Sequence, residues 1–513
     1  MITTPRLHAL LHWPLPTCLL LAGLLLWLQP ARELSAGLIS VTYLALCLHY
    51  CWPQRRQAQT GELLVAYASQ GGKAQRLAER SCAQLLASGM PARCIALNQL
   101  SSTQLKNLER LLLVVSTYGD GEAPDNAARF ERMLLSQQAL PQLHFAILAL
   151  GDSSYPQFCA FGQRLQQRLH ALKAQPLFDL LSVDCLDAGT LRHWQQQLGH
   201  LSGNSDFVDW QPAHYHPWRL DRRNCLNPSS IGAPIFHLSL SSTEAVDRRA
   251  GDIAEIGPRH APQRVIDCLQ QLGLEPRTRL ANGQLLSDAL SKLHLPTTSP
   301  DKNGIEQWLA ELTPLPHREY SIASSYGSSL DLLVRLQYQA DGSPGLGSGW
   351  LCEHAEVGGT LDLRIRRNPG FHGQDAATPM ILIGSGSGLA GLRAHLQERA
   401  TNPHSRNWLL FGERNAAHDA LLVDELRAWQ HSGHLARLDL TYSRDGNPQR
   451  YAQDALRDAA PTLHTWLADG AAIYLCGSLE GMGRDVDTCL RQLLGDEQLE
   501  QLSQSGRYRR DLY

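Results

Sequence analysis

The sequence predicts an α/β protein in which strands and helices alternate in doubly wound sheets, behind two helices long enough to span a membrane. Three observations lead there. The first 53 or so of 513 residues are far more apolar than the rest, and from Glu62 onward short apolar runs alternate with helical segments. Several of those runs end in Gly- and Ser-rich loops that open a helix. Hydrophobic residues are 43% and charged residues 19%, which excludes a disordered or fibrous chain. The formal net charge of −3 gives no basic face for nucleic acid. Twelve cysteines are scattered without a C-x-x-C pair, which argues against a disulfide framework or structural zinc and for reduced thiols in core space. No metal site is expected.

The N-terminal elements come first. One apolar stretch runs from Leu10 to Leu28 and a second from Leu34 to Trp52, with Pro30-Ala31-Arg32-Glu33 as the break. Each is about 19 residues, or roughly 28 Å as a helix, just enough to cross a bilayer. Arg6 precedes the pair and Arg55 and Arg56 follow it, while the connecting loop is neutral by charge count. That asymmetry fits a hairpin with both ends in the cytoplasm. The first stretch alone has the form of a signal peptide, but a second apolar stretch follows at once. His12 and His49 sit near one membrane face, where interfacial histidines are the better account than haem ligands.

The next elements are βα units. Leu63 to Tyr67 reads as a buried strand, then Ser69-Gln70-Gly71-Gly72-Lys73-Ala74 opens a helix to about Ser88. Small residues at such a junction let backbone N–H groups approach a phosphate. Leu111 to Val115 is followed by Ser116-Thr117-Tyr118-Gly119-Asp120-Gly121-Glu122-Ala123-Pro124-Asp125-Asn126, and Phe145 to Leu150 by Gly151-Asp152-Ser153-Ser154-Tyr155-Pro156-Gln157-Phe158-Cys159. All three loops fall at carboxyl ends of parallel strands, where ligands bind. Residues 205–215 lack periodicity and read as a linker. Strand-like runs follow at Ile235 to Leu240 and Leu330 to Gln337, with Arg318-Glu319-Tyr320-Ser321 between them. A cation, an aromatic ring and a hydroxyl on one strand suit a flavin dinucleotide. Gly345-Leu346-Gly347-Ser348 comes next, then the strand Met380 to Ile383, a loop carrying Gly384, Gly386 and Gly388, and a helix with Arg393.

Taken in order, these motifs resemble those of the diflavin reductase family, which includes NADPH–haemoprotein reductases and sulfite reductase flavoprotein subunits. The resemblance spans about residues 62 to 513. It implies a flavodoxin-like domain, then a ferredoxin-NADP-reductase-like module made of an FAD-binding β-barrel and a Rossmann-like NADP domain. It implies that Ser69 to Ala74 hold the FMN phosphate, with Ser116, Thr117, Gly119, Gly151, Asp152 and Phe158 completing the FMN loops. Tyr118 and Tyr155 flank the flavin ring, and Asp184 lies near its edge. Arg318, Tyr320, Ser321, Gly345 and Ser348 bind FAD. Gly384, Gly386, Gly388 and Arg393 belong to the nucleotide loop and its helix. Ser443, Arg444, Tyr451 and Gln453 take the 2′-phosphate and adenine side of NADPH. Ser321, Cys476 and Asp511 are the implied hydride-transfer residues, and Tyr513 the aromatic that covers the FAD ring. The chain departs from the pattern at Gly71 (usually Thr), Gly391 (usually Pro), Gln449 (usually Lys) and Ser478 (usually an acid). Its segment between Asp252 and Arg318 is also shorter than the usual connecting domain.

The expected organisation is a membrane anchor over 1–60, an FMN domain over 61–202, an FAD domain with a short connecting insertion over 203–375, and an NADPH domain over 376–513. The expected function is electron transfer from NADPH through FAD and FMN to a one-electron acceptor, a haemoprotein or sulfite-reductase-like partner. The setting is the cytoplasmic membrane, spanned more than once, with the catalytic domains in the cytoplasm. A ferric-chelate or siderophore reductase using the same chain of cofactors is an alternative. A non-catalytic membrane adaptor is a second alternative, against which the intact NADPH and FAD motifs argue.

Overall fold

The computed structural model describes residues 63–513, apart from the loop segments 70–71, 118–120, 125, 205–206, 208, 211–213, 244–245, 301–303, 326, 403 and 447–449. The expected hairpin over 1–60 lies outside the described residues. Among the described residues, no helix is long and apolar enough to cross a membrane.

The first sheet is parallel. Strands β1 (Leu63–Ala68), β2 (Ala92–Ala96), β3 (Arg110–Ser116), β4 (His144–Gly151) and β5 (Gln175–Pro176) lie in the order β2-β1-β3-β4-β5, and β6 (Leu181–Asp184) pairs in parallel with the second half of β4. The runs Leu63-Leu64-Val65 and Leu111 to Val115 are buried on both faces, which is why they carry no polar alternation. Helices α1 (Lys73–Ala87), α2 (Ala128–Leu135), α3 (Ala160–Ala171) and α4 (Ala188–Ser202) connect them. Gly72, at φ +74°, supplies the left-handed turn that lets α1 begin directly after the first loop. The Asp187 side chain accepts the Thr190 N–H at 2.7 Å and caps α4.

The second sheet is antiparallel: β7 (His216–Cys225), β8 (Ile235–Ser241), β9 (Ile253–Gly257), β10 (Arg318–Ser321), β11 (Ser329–Arg335) and β12 (Thr360–Arg366), in the order β10-β9-β12-β7-β8-β11. A bridge between Ile322 and Leu332 joins the two ends, so the sheet closes into a barrel. Along β7, Trp218 and Leu220 point into the barrel core while Arg219 and Asp221 face out. The insertion between β9 and β10 holds α5 (Pro262–Gln271), α6 (Leu286–Leu290) and α7 (Ile305–Glu311) around a small core of Val265, Leu269, Leu286, Leu290 and Trp308.

The third sheet is parallel again. Strands β13 (Met380–Ser385), β14 (Asn407–Glu413), β15 (Leu435–Tyr442), β16 (Ala472–Gly477) and β17 (Tyr508–Leu512) lie in the order β15-β14-β13-β16-β17, a doubly wound arrangement whose strand order reverses at β13. Helix α8 (Leu389–Arg399) starts where the glycine loop ends. The β16–β17 register sets Asp511 opposite Cys476.

The segment 205–215, expected as a linker, differs from that expectation at Asp209 and Trp210. Asp209 forms ion pairs with His317 (2.8 Å) and Arg364 (2.9 Å), and the Trp210 N–H donates to Gln195. Burial of apolar surface and of paired charge holds this part of the chain to the domains on either side.

Candidate active site

A cavity of about 1050 Å3 opens where the barrel, the third sheet and helix α4 meet. Arg318, Tyr320 and Ser321 from β10 line it, with Gly345 to Ser348, Ser385 to Ser387, and Asp511 to Tyr513. The Ser321 hydroxyl donates to Asp511 Oδ2 at 2.7 Å, and the Cys476 thiol faces the same oxygen at 3.7 Å. Residues 190 positions apart thus share one carboxylate. Burial pushes the Asp511 pKa up, with the Ser321 hydrogen bond opposing it. Burial raises the Cys476 pKa well above that of a free thiol, and the neighbouring Asp511 charge adds to this, so the group stays an S–H donor. Tyr513, at the chain end, is 48% exposed. Its N–H donates to Gly477 O at 3.1 Å and its hydroxyl meets Ser387 Oγ at 3.0 Å.

The backbone around the cavity has no room for side chains where a dinucleotide would have to approach. A Cβ on Gly347 would come within 2.5 Å of Arg318 Cγ and 2.8 Å of the Tyr320 hydroxyl. A Cβ on Gly384 or Gly388 would lie 2.7 or 2.2 Å from Cys476 O. Gly386 has φ +58°, and a Cβ there would meet Arg335 Nη2 at 2.4 Å. Gly391 is packed 3.2 Å, measured from a built Cβ, from Cys476 Sγ. The Ser348 hydroxyl accepts the Gln337 N–H at 3.1 Å and holds the Gly345 turn in shape. Arg318 is steadied by bonds from Nη1 to Pro316 O and His317 O, both 3.0 Å.

The first sheet carries its own loop cluster. The Ser69 N–H donates to Asn126 Oδ1 at 3.1 Å, and the Ser116 hydroxyl to Ala68 O at 3.2 Å, which ties the first two loops together. Among the described residues, the buried hydroxyls of Ser69 and Thr117 have no partner. Two orphaned hydroxyls at strand carboxyl ends fit a ligand that supplies acceptors, as a flavin mononucleotide does. Lys73 is exposed at the start of α1 and Ala74 is buried beneath it. Asp184 accepts the Ser153 N–H at 2.8 Å and Asp152 the Ser154 N–H at 2.9 Å, and these serine bonds hold both carboxyls below the usual range. Tyr155 is 57% exposed beside them, and Phe158 packs onto the sheet core. Gln70, Gly71, Tyr118, Gly119 and Gln449 lie outside the described residues.

Ser443, Arg444, Tyr451 and Gln453 do not line the cavity; they sit at the far end of the third sheet. Arg444 is exposed, and Arg450 Nη2 donates to Ser443 O at 3.2 Å, so two guanidiniums flank this segment. Gln453 Nε2 donates to Asp485 at 3.3 Å.

Arg393 requires a correction. The expectation tied it to the nucleotide loop, but it is buried inside helix α8. Its guanidinium bonds Glu425 (2.8 and 3.1 Å), Ala323 O (2.7 Å) and Asp331 (3.1 Å). Those bonds consume its donors in bracing α8 against the barrel, because a buried guanidinium must be paired.

Sequence reasoning missed several residues. His193, Gln196, Gln197 and His200 of α4 form one wall of the cavity. They recur at i, i+3, i+4 and i+7, opposite the buried Leu191, Trp194 and Leu198, so a polar helical stripe was the available signal. Arg335 and Glu413 were missed as well. Glu413 ends β14 with Oε1 lacking a hydrogen bond and Arg335 Nη2 3.9 Å away; burial raises its pKa to about 7 despite that charge.

The Flavodoxin family model matches residues 65–194, and the Oxidoreductase NAD-binding domain model matches residues 382–488. The sulfite reductase [NADPH] flavoprotein alpha-component of Neisseria meningitidis serogroup C is 29% identical over 544 aligned positions, covering 89% of this chain and 90% of that protein. The protein of that name from Bacillus subtilis is 28% identical, with 89% and 90% covered, and that from Vibrio cholerae 28%, with 91% and 90%. A Flavodoxin match followed by an NAD-binding oxidoreductase match, with similarity over nearly the whole length of these relatives, supports the diflavin reductase family for this chain.

Proposed function

We propose that the protein is a membrane-anchored NADPH oxidoreductase that delivers single electrons from NADPH, by way of FAD and FMN, to a haemoprotein or sulfite-reductase-like acceptor. The observation that carries this reading is the cavity itself. One groove joins Arg318, Tyr320 and the Gly345–Ser348 turn to the Ser321–Asp511–Cys476 cluster and the glycine loop of the third sheet. Its volume suits a dinucleotide with a second nucleotide entering beside it. When bound, the flavins supply the step between two-electron and one-electron chemistry, which no side chain can perform.

The chain's own residues have definable tasks. Tyr320 and Arg318 present a ring and a cation to a flat, phosphate-bearing ligand. Ser321 and the Cys476 thiol offer donors at the reacting face, oriented by Asp511. Tyr513 covers that face and, being half-exposed and held only at its tip and backbone, can swing aside for the nicotinamide. Ser69, Thr117 and the loops ending β3 and β4 hold FMN. The hairpin over 1–60 keeps the catalytic domains at the cytoplasmic face of the inner membrane, where NADPH is available.

The reading is tested by the flavin content of purified protein. Acid release should yield FMN and FAD in equal amounts. FAD alone would mean that the loop carrying Gly71 does not retain FMN, and one-electron delivery would then be wrong.

A further inference from the structure

A second cavity, of about 230 Å3, shares no lining residue with the large groove. It lies beside the start of β9 and the loop after β12, and its charged and polar walls are Asp247, Arg248, Arg249, Asp252, Arg367 and His372.

The charges in this cavity do not balance. Arg248 is buried, and its Nη groups donate to two backbone oxygens, Gly327 O at 2.9 Å and Ser329 O. Its Nε–H has no acceptor, and no carboxylate among the described residues pairs with it. Burial accordingly lowers its pKa. Asp252 cannot serve it. That carboxylate already accepts the Arg249 N–H (2.9 Å), the Asn368 N–H (3.0 Å) and His372 Nε2 (2.6 Å). Asp247 pairs with Arg367 at 3.0 Å, but both side chains are more than 70% exposed, so the pair is weak and open to exchange. The Arg249 side chain is exposed and lines the same cavity. Three guanidiniums thus face two carboxylates across the cavity, and the charges of Asp331 and Asp252 near Arg248 do not overcome its burial.

We propose that this cavity binds a tetrahedral oxyanion the size of free phosphate, held by Arg248, Arg249 and Arg367. A guanidinium fork matches a phosphate edge with two parallel hydrogen bonds. A cation is disfavoured by the positive excess, and an apolar ligand would leave the Arg248 Nε–H dry. Water satisfies the N–H but not the charge. The position gives the site a route to the reaction centre. Asp252 O accepts the Ile322 N–H at 3.2 Å, and Ile253 pairs in register with Ser321. His372 O accepts the Tyr474 hydroxyl at 3.0 Å, two residues before Cys476. Two walls of the cavity, Asp252 and His372, are thus hydrogen-bonded to the segments that carry Ser321 and Cys476. The inference does not depend on the nucleotide assignment.

The test is calorimetric titration of the flavin-loaded, full-length protein with inorganic phosphate at constant ionic strength, without NADPH. Saturable binding is expected, and one site per chain should persist in Arg444→Ala, which removes the second phosphate site proposed at the 2′-phosphate segment. Arg249→Ala and Arg367→Ala should each weaken it about tenfold, and Arg248→Met should abolish it. If Arg248→Met loses flavin, the two exposed arginines carry the test. Absence of a saturable site overturns the proposal. So does binding that vanishes in Arg444→Ala yet survives in Arg249→Ala and Arg367→Ala.

Discussion

At the scale of single residues, the segment proposed to take the 2′-phosphate of NADPH carries two guanidiniums. Arg444 is exposed, and Arg450 reaches Ser443 O at 3.2 Å. A charge-assisted contact contributes about 1.5–3 kcal/mol, or roughly 10- to 150-fold in affinity, and exposure favours the lower end. Arg444→Ala should raise the KM for NADPH about tenfold and leave that for NADH nearly unchanged; adding Arg450→Ala should raise the NADPH value further. Equal weakening of both nucleotides would detach this segment from the 2′-phosphate. Glu413 gives a pH signature. Its pKa is raised to about 7, first by burial, so it is neutral below that pH and anionic above it. Its Oε1 lies 3.7 Å from a Cβ built on Gly386, in the glycine loop proposed to take the nucleotide phosphates. The KM for NADPH should therefore rise as pH passes through about 7, and Glu413→Gln should flatten that rise. The stability sign is the same. A carboxyl raised in the folded state costs stability progressively from its unfolded pKa up to about 7, because the native state holds the proton more tightly.

At the scale of elements, α4 and the barrel are joined by buried charge rather than by apolar packing alone. Glu255 of β9 is fully buried and takes Arg192 of α4 at 2.9 Å and Arg364 of β12. His193 of α4 meets Glu319 of β10 at 2.7 Å, and Arg366 meets the same carboxylate at 3.0 Å. Gly189 is required for this approach, since a Cβ there would lie 2.8 Å from Arg366 Cγ. His317 sits in the middle. Burial opposes its charge, yet the hydrogen bond to Asp209 and the nearby Glu319 and Glu255 carboxylates hold its pKa up to about 9. The stabilisation from the Asp209 bond and the neighbouring carboxylates is present below the unfolded value near 6.5 and is lost as pH rises through about 9. Glu255→Gln leaves two arginines facing a neutral amide and should cost about 3–5 kcal/mol, read as a lower denaturant midpoint. A change below about 1 kcal/mol would mean that the cluster is not what seats α4 against the cavity.

At the scale of the whole molecule, the proposed anchor is separable from the catalysis. Removing residues 1–60 should give a protein that leaves the membrane fraction and still oxidises NADPH at the full-length rate. A truncated protein that stays in the membrane fraction would show that residues 61–513 bind the bilayer themselves. A reporter fused after Trp52 should read as cytoplasmic, and a periplasmic result would overturn the proposed topology.

The sequence by itself determined the order of strands and helices and the positions of the glycine loops, because both depend on local chemistry. A buried parallel strand needs an unbroken apolar run, as at Leu63 to Ala68, and the turn before α1 needs Gly72 at positive φ. It also supplied Ser321, Cys476 and Asp511 as candidates, through motifs in the right order. Only the tertiary structure decided which groups meet. Arg393 lies one turn from the glycine loop in sequence, but packing turns it toward Glu425 and Asp331. The α4 wall of the cavity, the Glu255 cluster and the charge imbalance at Arg248 all arise from residues tens to hundreds of positions apart. A buried charge takes whatever partner the packed chain brings within hydrogen-bond range, and local pattern carries no record of that choice.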